Sequence, residues 1–249
     1  MIKEKNKIEI IGLELPIFKG NDITLEKLAD IISQYPIKDY DIIVIAETLI
    51  SKAEGNIIER DKIIPTKEAI EIAKKINKDP KVVQVILNEA KEIVKIGKNF
   101  IITETKHGFV CANSGVDESN VLGIKTLPKD PDKSAEVIRK YIEKKTKKKI
   151  AVIISDSVGR PFRKGAIGIA IGVSGIIALW DRRGEKDLFG RELKSTEVAV
   201  ADLIASAANL AMGEANEGVP VVIIRGAKVP FGNGKASDLI RNKEEDVFR

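Results

Sequence analysis

Two stretches of the chain combine side chains able to do chemistry. Lys149 to Gly165 reads K-I-A-V-I-I-S-D-S-V-G-R-P-F-R-K-G. Ile150 to Ile154 is an unbroken apolar run, the pattern of a strand buried on both faces of a sheet. Immediately behind it come Ser155, Asp156 and Ser157, a glycine turn at Gly159, and the guanidinium groups of Arg160 and Arg163 around Pro161. Ligands of open α/β sheets gather beyond the carboxyl ends of strands, so a hard-cation ligand beside two phosphate clamps points to metal and phosphate together. The second stretch, Asn113 to Asn120 (N-S-G-V-D-E-S-N), is a glycine-containing loop with two carboxylates. Its Asp117 is the natural partner for Asp156, since two acidic loops can hold a divalent cation between them. Either aspartate alone would read as a turn former, and the arginines as solvated. The pair of loops shifts the balance toward a site.

Composition narrows the metal. A single cysteine, Cys111, excludes an intrachain disulfide and a Cys cluster. One histidine, His107, rules out a multi-histidine site and reads as a turn residue. Any metal therefore sits on oxygen ligands. The net charge of +5 comes from 42 basic against 37 acidic residues. Most of the excess lies in Lys144 to Lys149, at a helix end where cations favour the macrodipole, so a solvated face is the better reading. With 4% aromatic residues and no stacking motif, an RNA-binding module lacks its base platforms. Met1 to Lys7 is polar, and the most apolar window, Ile167 to Trp180, is interrupted by Gly168, Gly172 and Gly175. The expectation is a soluble, cytoplasmic protein with neither nucleic acid nor membrane as partner. Heavy use of Lys, Glu and Ile, with only Gln34 and Gln84, resembles the composition of a heat-adapted organism.

The elements that position these residues follow from periodicity. Ile8 to Ile11 is a short strand, followed by Leu15-Pro16-Ile17-Phe18, whose extended backbone can meet a base or ring, or equally enter the core as an edge. Asp22 or Thr24 caps a helix through Leu25, Leu28, Ile31 and Ile32. Asp41 to Ala46 is a buried strand, with polar groups of Glu47 to Gly55 behind it; Lys52 alone reads as a surface lysine. Asp79 caps a helix with Pro80 at its first position and Gly97 past its end, which places Val83, Ile86, Leu87, Ala90 and Val94 on its core face. Phe100 to Thr103 and Phe109 to Ala112 form two strands joined near His107. Pro131 to Lys145 is an amphipathic helix with Ala135, Ile138 and Ile142 inward. Gly165 to Gly175 reads as bulged strand or close backbone approach, without a Rossmann turn. Asp187 to Leu193 is a polar turn with a buried-looking centre. An Ala-rich helix starts near Glu197 and ends at Met212, apolar on nearly every side, so it belongs in a lobe centre or a dimer interface. A glycine-rich connection, Met212 to Gly218, leads to a last strand, Val219 to Ile224. No Walker A lysine motif occurs, so any nucleotide site is unconventional.

Taken together, L-P-I-F (15–18), T-L-I-S-K-A-E-G (48–55), N-S-G-V-D-E-S-N (113–120), S-D-S-V-G-R-P-F-R-K-G (155–165), A-I-G-V-S-G (170–175), D-L-F-G-R-E-L (187–193) and M-G-E (212–214) resemble the coenzyme F-420 gamma-glutamyl ligases of archaea. The resemblance spans essentially residues 1–249 as one ligase unit. It implies an enzyme that uses GTP and a divalent metal, Mg²⁺ or Mn²⁺ as two ions with K⁺ as a further candidate. Such an enzyme adds L-glutamate to the lactyl carboxylate of the glutamate-free coenzyme precursor, then a second glutamate through a gamma linkage, by way of an acyl phosphate.

Carried over residue by residue, the resemblance implies Asp117 and Asp156 as ligands of one ion, with Ser157 and Glu214 at a second. It implies GTP contacts at Leu15, Pro16, Ile17, Phe18, Glu47, Thr48, Lys52 and Asn120, and along Met212, Gly213, Glu214, Ala215, Asn216, Glu217, Gly218 and Val219. Where the family carries a small hydroxyl residue this chain has Glu47, so that contact reads as backbone only. Ser157 stands for a threonine and keeps the hydroxyl ligand. Arg160 and Arg163 are assigned to the γ-phosphate or the anionic substrate, beside Asp117 and Asp156 as catalytic groups. The implied fold is α+β (mixed α/β), with a two-lobed subunit, a mixed, largely buried sheet, an Ala-rich central helix and an intertwined homodimer; the lobe boundary can be discontinuous. The rival enzyme class is a metal-dependent phosphohydrolase using the same carboxylates.

Overall fold

The computed structural model describes residues 6–20 and 22–248. Most of the polar leader Met1 to Lys7 therefore lies outside the described residues. The elements run β1 Glu9–Leu13, α1 Leu25–Ile32, β2 Ile42–Ala46, α2 Glu47–Ala53, β3 Ile57–Ile58, α3 Lys67–Ile76, α4 Pro80–Glu89, β4 Ala90–Ile96, β5 Ile101–Thr105 and β6 Val110–Ala112. There follow β7 Ile124–Lys125, α5 Pro131–Thr146, β8 Ala151–Arg160, β9 Arg163–Ser174, β10 Leu179–Asp181, β11 Glu197–Ala199, α6 Val200–Met212 and β12 Val221–Arg225.

The main sheet has the order β1-β12-β2-β8-β9 and is mixed: β2 and β8 are parallel, and the other neighbours are antiparallel. Strands apolar at every position can be buried only if both faces are covered. Ile43 and Ile45 of β2, with Val152 and Ile154 of β8, pack toward α1 and α5 through Leu28, Ile32, Ile138 and Ile142. Ile42 and Val44, with Ala151 and Ile153, pack toward α6 through Ala201, Ile204, Ala205 and Ala208. Two glycines of β9 make that sandwich possible. A Cβ at Gly168 would lie 2.6 Å from the Ala205 carbonyl oxygen, and one at Gly172 2.5 Å from that of Pro131. A third core, built by α3 and α4 against Ile101, Val116 and Ile124, serves the segment between β3 and β7.

Several local readings change. β8 does not turn at Gly159; it continues to Arg160 and forms a hairpin with β9, so Ser155, Asp156 and Ser157 are strand residues. A register shift between Ile154 and Ser155 opposes Ile171 as an extra residue and redirects the strand there. The helix from Pro80 stops at Glu89, and Val94 belongs to β4, because Ala90–Ile96 pairs with β5. Thr24, not Asp22, caps α1. Glu197 lies in β11, and α6 begins at Val200. α6 is also one-sided: Leu203 and Leu210 on its outer face are 62% and 84% exposed. The turn at Asp187 has no buried centre, since Leu188 and Phe189 are 100% and 97% exposed. The last strand, β12, lies between β1 and β2. Among the described residues no helix is long and apolar enough to cross a membrane.

Candidate active site

Sheet order explains why distant segments meet. β1, β2 and β8 run one way and β12 the other, so three carboxyl ends and the amino end of β12 share one edge. A cavity of about 600 Å³ opens along it. Leu15 to Phe18 after β1, Glu47, Thr48 and Lys52 of α2, Ser155 to Gly159 of β8 and Met212 to Pro220 before β12 line one side. Cys111, Asn113, Asp117, Asn120 and Lys125 supply the other. Every site residue expected from the sequence lies on this lining except Arg160 and Arg163. Those two face each other at the tip of the β8–β9 hairpin, where Arg160 Nη1 donates to the Gly165 carbonyl at 3.0 Å.

The Asp117 loop is held by a left-handed turn, with φ of 55° at Asn113 and Ser114 and 69° at Gly115. Such backbone is costly for non-glycine residues and needs fixing from outside. Ser114 Oγ, fully buried, donates to the Ile86 carbonyl at 3.0 Å and lies 2.8 Å from Thr103 Oγ1, while Asn113 Oδ1 accepts from Ile101 N at 3.2 Å. Lys125 N then donates to the Asp117 carbonyl at 2.8 Å, and Ser119 Oγ to Asp117 Oδ1 at 3.1 Å. Asn120 Nδ2 donates to the Ala215 carbonyl at 3.1 Å and so ties this loop to the connection before β12. In that connection Ser157 Oγ and Asn209 Nδ2 both donate to Glu214 Oε1, at 2.8 and 2.7 Å.

Lys52 is not a surface lysine. It is 8% exposed, and its Nζ donates to the Phe18 carbonyl at 2.7 Å, pinning the Leu15–Phe18 turn; burial lowers its pKa. Leu15 N also reaches the Gly218 carbonyl at 3.4 Å. Glu47 is buried as well, and its carboxylate pairs with Lys125 Nζ within the cavity lining, the two side chains being 1% and 3% exposed. Burial pushes Glu47 up to about 7, against the pull of Lys125. For Lys125, burial works downward, but Glu47, Asp156 and Asp117 outweigh it and keep the ammonium charged. The Asp156 carboxyl is raised by burial and by the charges of Asp117 and Glu214, with Lys125 and the Ser157 N–H, 2.8 Å from Oδ1, working the other way.

Lys125 and Asn209 are the residues that sequence reasoning missed. A lysine beside Ile124 in a segment flanked by Leu122 and Leu127, and an amide inside the apolar α6, were the available signals. His107 is a turn residue whose Nε2 lies 3.1 Å from the Lys129 carbonyl, beside a separate small recess with Lys106.

Among the described residues, no three Asp, Glu, His or Cys side chains close into a metal cage. The donor set still suits a hard cation, because Asp117, Asp156, Glu214 and Ser157 offer oxygen alone on a single cavity. Mg²⁺ commonly takes one or two carboxylates and fills its shell with water and phosphate oxygens, for which an open set is suited.

Residues 12–226 match the family model described as F420-0:Gamma-glutamyl ligase. The coenzyme F420:L-glutamate ligase of Methanocaldococcus jannaschii is 78% identical over 250 residues, covering 100% of both chains. That of Methanothermobacter thermautotrophicus is 51% identical, over 97% of this chain and 99% of its own. That of Archaeoglobus fulgidus is 43% identical, over 98% and 97%. A match of this length and identity, on a chain whose motif segments converge on one cavity, settles the relationship: the protein belongs to the F420-0:gamma-glutamyl ligase family.

Proposed function

We propose that this chain joins the amine of L-glutamate to the lactyl carboxylate of the glutamate-free coenzyme F-420 precursor, and then adds a second glutamate through a gamma linkage, using GTP and a divalent cation. The ligation itself is what the names of its relatives describe. The observation that carries the reading for this chain is the convergence of four segments, remote in sequence, on one edge of the sheet around a carboxylate-lined cavity.

An amide cannot form from a free carboxylate without activation. In the proposed route the substrate carboxylate oxygen attacks the γ-phosphorus, the bond to GDP breaks, and an acyl phosphate results. The glutamate amine then attacks the acyl carbon, phosphate leaves with the bonding pair, and the nitrogen sheds a proton. Asp117, Asp156, Glu214 and the Ser157 hydroxyl would hold Mg²⁺ or Mn²⁺, which supplies neutralisation of phosphate charge when bound. Lys52 fixes the Leu15–Phe18 turn through the Phe18 carbonyl, and Asn120 holds the two loops together over the cavity; both act by orienting the nucleotide.

A homodimer is part of the same reading. Leu203 and Leu210 on α6, with Leu188 and Phe189 at the Asp187 turn, leave apolar surface for a second copy.

Mass spectrometry of the deazaflavin product after incubation with GTP, glutamate and Mn²⁺ tests the function. Products heavier by one and two glutamyl units are expected. GTP turnover that proceeds without glutamate or the precursor would instead favour a phosphohydrolase.

A further inference from the structure

Lys125 stands in an unusual place. Its side chain is 3% exposed, yet it lies on the wall of a cavity lined by carboxylates. Its Nζ is fixed by Glu47 and by the Gly115 carbonyl at 3.4 Å. Glu47 in turn accepts from Ser51 Oγ, which also lies 2.7 Å from the Thr126 carbonyl. The ammonium is thus held in position by α2 and by the turn that carries Asp117, while its charge acts on both Asp117 and Asp156. The backbone of the same residue pairs with Asp117 on both sides, N–H to carbonyl at 2.8 Å and carbonyl to N–H at 3.3 Å.

We propose that Lys125 is a positioning residue for the divalent cation: its ammonium, immobilised by Glu47, draws Asp117 and Asp156 together across the cavity before any cation arrives. This rests on the metal-dependent reading given above. Asp117 follows Val116 of the core built by α3 and α4, whereas Asp156 lies on β8 of the main sheet. Like charges on two such walls repel, and a fixed cation whose charge acts on both offsets that repulsion. A cation entering a site already assembled does not have to draw the Asp117 loop inward, so the ordering cost falls outside the binding step. Glu47 prevents the ammonium from moving onto Asp156, where it would take the incoming cation's place. A lysine acting only as a neighbouring positive charge would have the opposite effect, because its removal would strengthen Mn²⁺ binding.

The test uses the full chain and Mn²⁺ alone, with binding followed by electron paramagnetic resonance and folding by thermal melting. Lys125→Met leaves Glu47 buried without its partner, so it should lower the melting temperature and weaken Mn²⁺ binding by at least ~10-fold, about 1.4 kcal/mol. The double variant Glu47→Gln/Lys125→Met removes both charges of the pair. Its melting temperature should recover toward that of the parent while Mn²⁺ binding stays weak. A pair that is merely structural would recover both. Mn²⁺ affinity in the folded double variant within ~3-fold of the parent, or tighter, overturns the proposal. Absence of Mn²⁺ binding in the parent protein itself overturns the metal-dependent reading, and this inference with it.

Discussion

Asp156→Asn separates stability from activity at a carboxylate of the cavity lining. The amide keeps an acceptor for the Ser157 N–H, now 2.8 Å from Oδ1, so strand β8 loses no hydrogen bond. What it loses is one negative charge beside Asp117 and Glu214. The folded protein raises the Asp156 pKa, through burial first and those two charges next. A raised pKa means that the folded state holds the proton more tightly than the unfolded chain does. The ionised carboxylate therefore costs stability at neutral pH, and that cost fades as pH falls toward the ordinary aspartate value near ~4. Asparagine cannot ionise, so its melting temperature at pH 7 should equal or exceed that of the parent, and the gap should close by pH 4. Ligation should fall at least ~10²-fold, about 2.7 kcal/mol at the transition state, because on the proposed metal-dependent route the cation would lose one of its anionic ligands. The assay pairs glutamate incorporation at saturating GTP with melting curves at pH 4 and pH 7. Near-normal turnover would refute the role given to Asp156. A large drop in melting temperature accompanying the loss of activity would refute the electrostatic argument.

Asp117→Asn should also reduce ligation by at least ~10²-fold with folding retained, as read by circular dichroism and the same incorporation assay. GTP should support ligation at least ~10-fold better than ATP in kcat/KM, because on the proposed reading backbone groups of Leu15 to Phe18 and of the Met212 connection would pair with guanine and be left unpaired by adenine, at roughly 1–3 kcal/mol each. Equal use of ATP under matched metal would remove the base-reading role from those loops. Sedimentation should show a dimer at working concentration, and an active monomer would count against the reading of the α6 outer face. The Cys111 thiol, pushed up to about 12 by burial and then by Asp156, should react with iodoacetamide at pH 8 at least ~10²-fold more slowly than a free thiol; labelling at the free rate would show that the wall of the cavity opens.

Much of the local structure is legible in the residues. The doubly apolar runs of β2 and β8, the capped α1 and the Pro-initiated α5 all follow from periodicity and end signals, which report on neighbouring φ/ψ choices and on the face each element buries. The stretch from Ala90 to Ile96 misleads because its β-branched residues continue a helical spacing, and only the hydrogen bonds offered by β5 make it a strand. Glu197 misleads in the same way, since an acidic residue before an Ala-rich helix suits a first turn, while pairing with β10 draws it into β11.

At the site, the sequence by itself determined which donors any metal could use. One cysteine and one histidine leave oxygen donors for any metal, and Asp117, Asp156, Ser157 and Glu214, the set that the family resemblance implies, are oxygen donors on the cavity lining. Only the tertiary structure decided which groups share the cavity. The strand order brings the carboxyl ends of β1, β2 and β8 to the amino end of β12, pairs Glu47 with Lys125 across 78 positions, and carries Arg160 and Arg163 to a hairpin tip. Periodicity encodes which face of an element is apolar, whereas strand order and register are set by the packing of many faces at once, which no local stretch of residues contains.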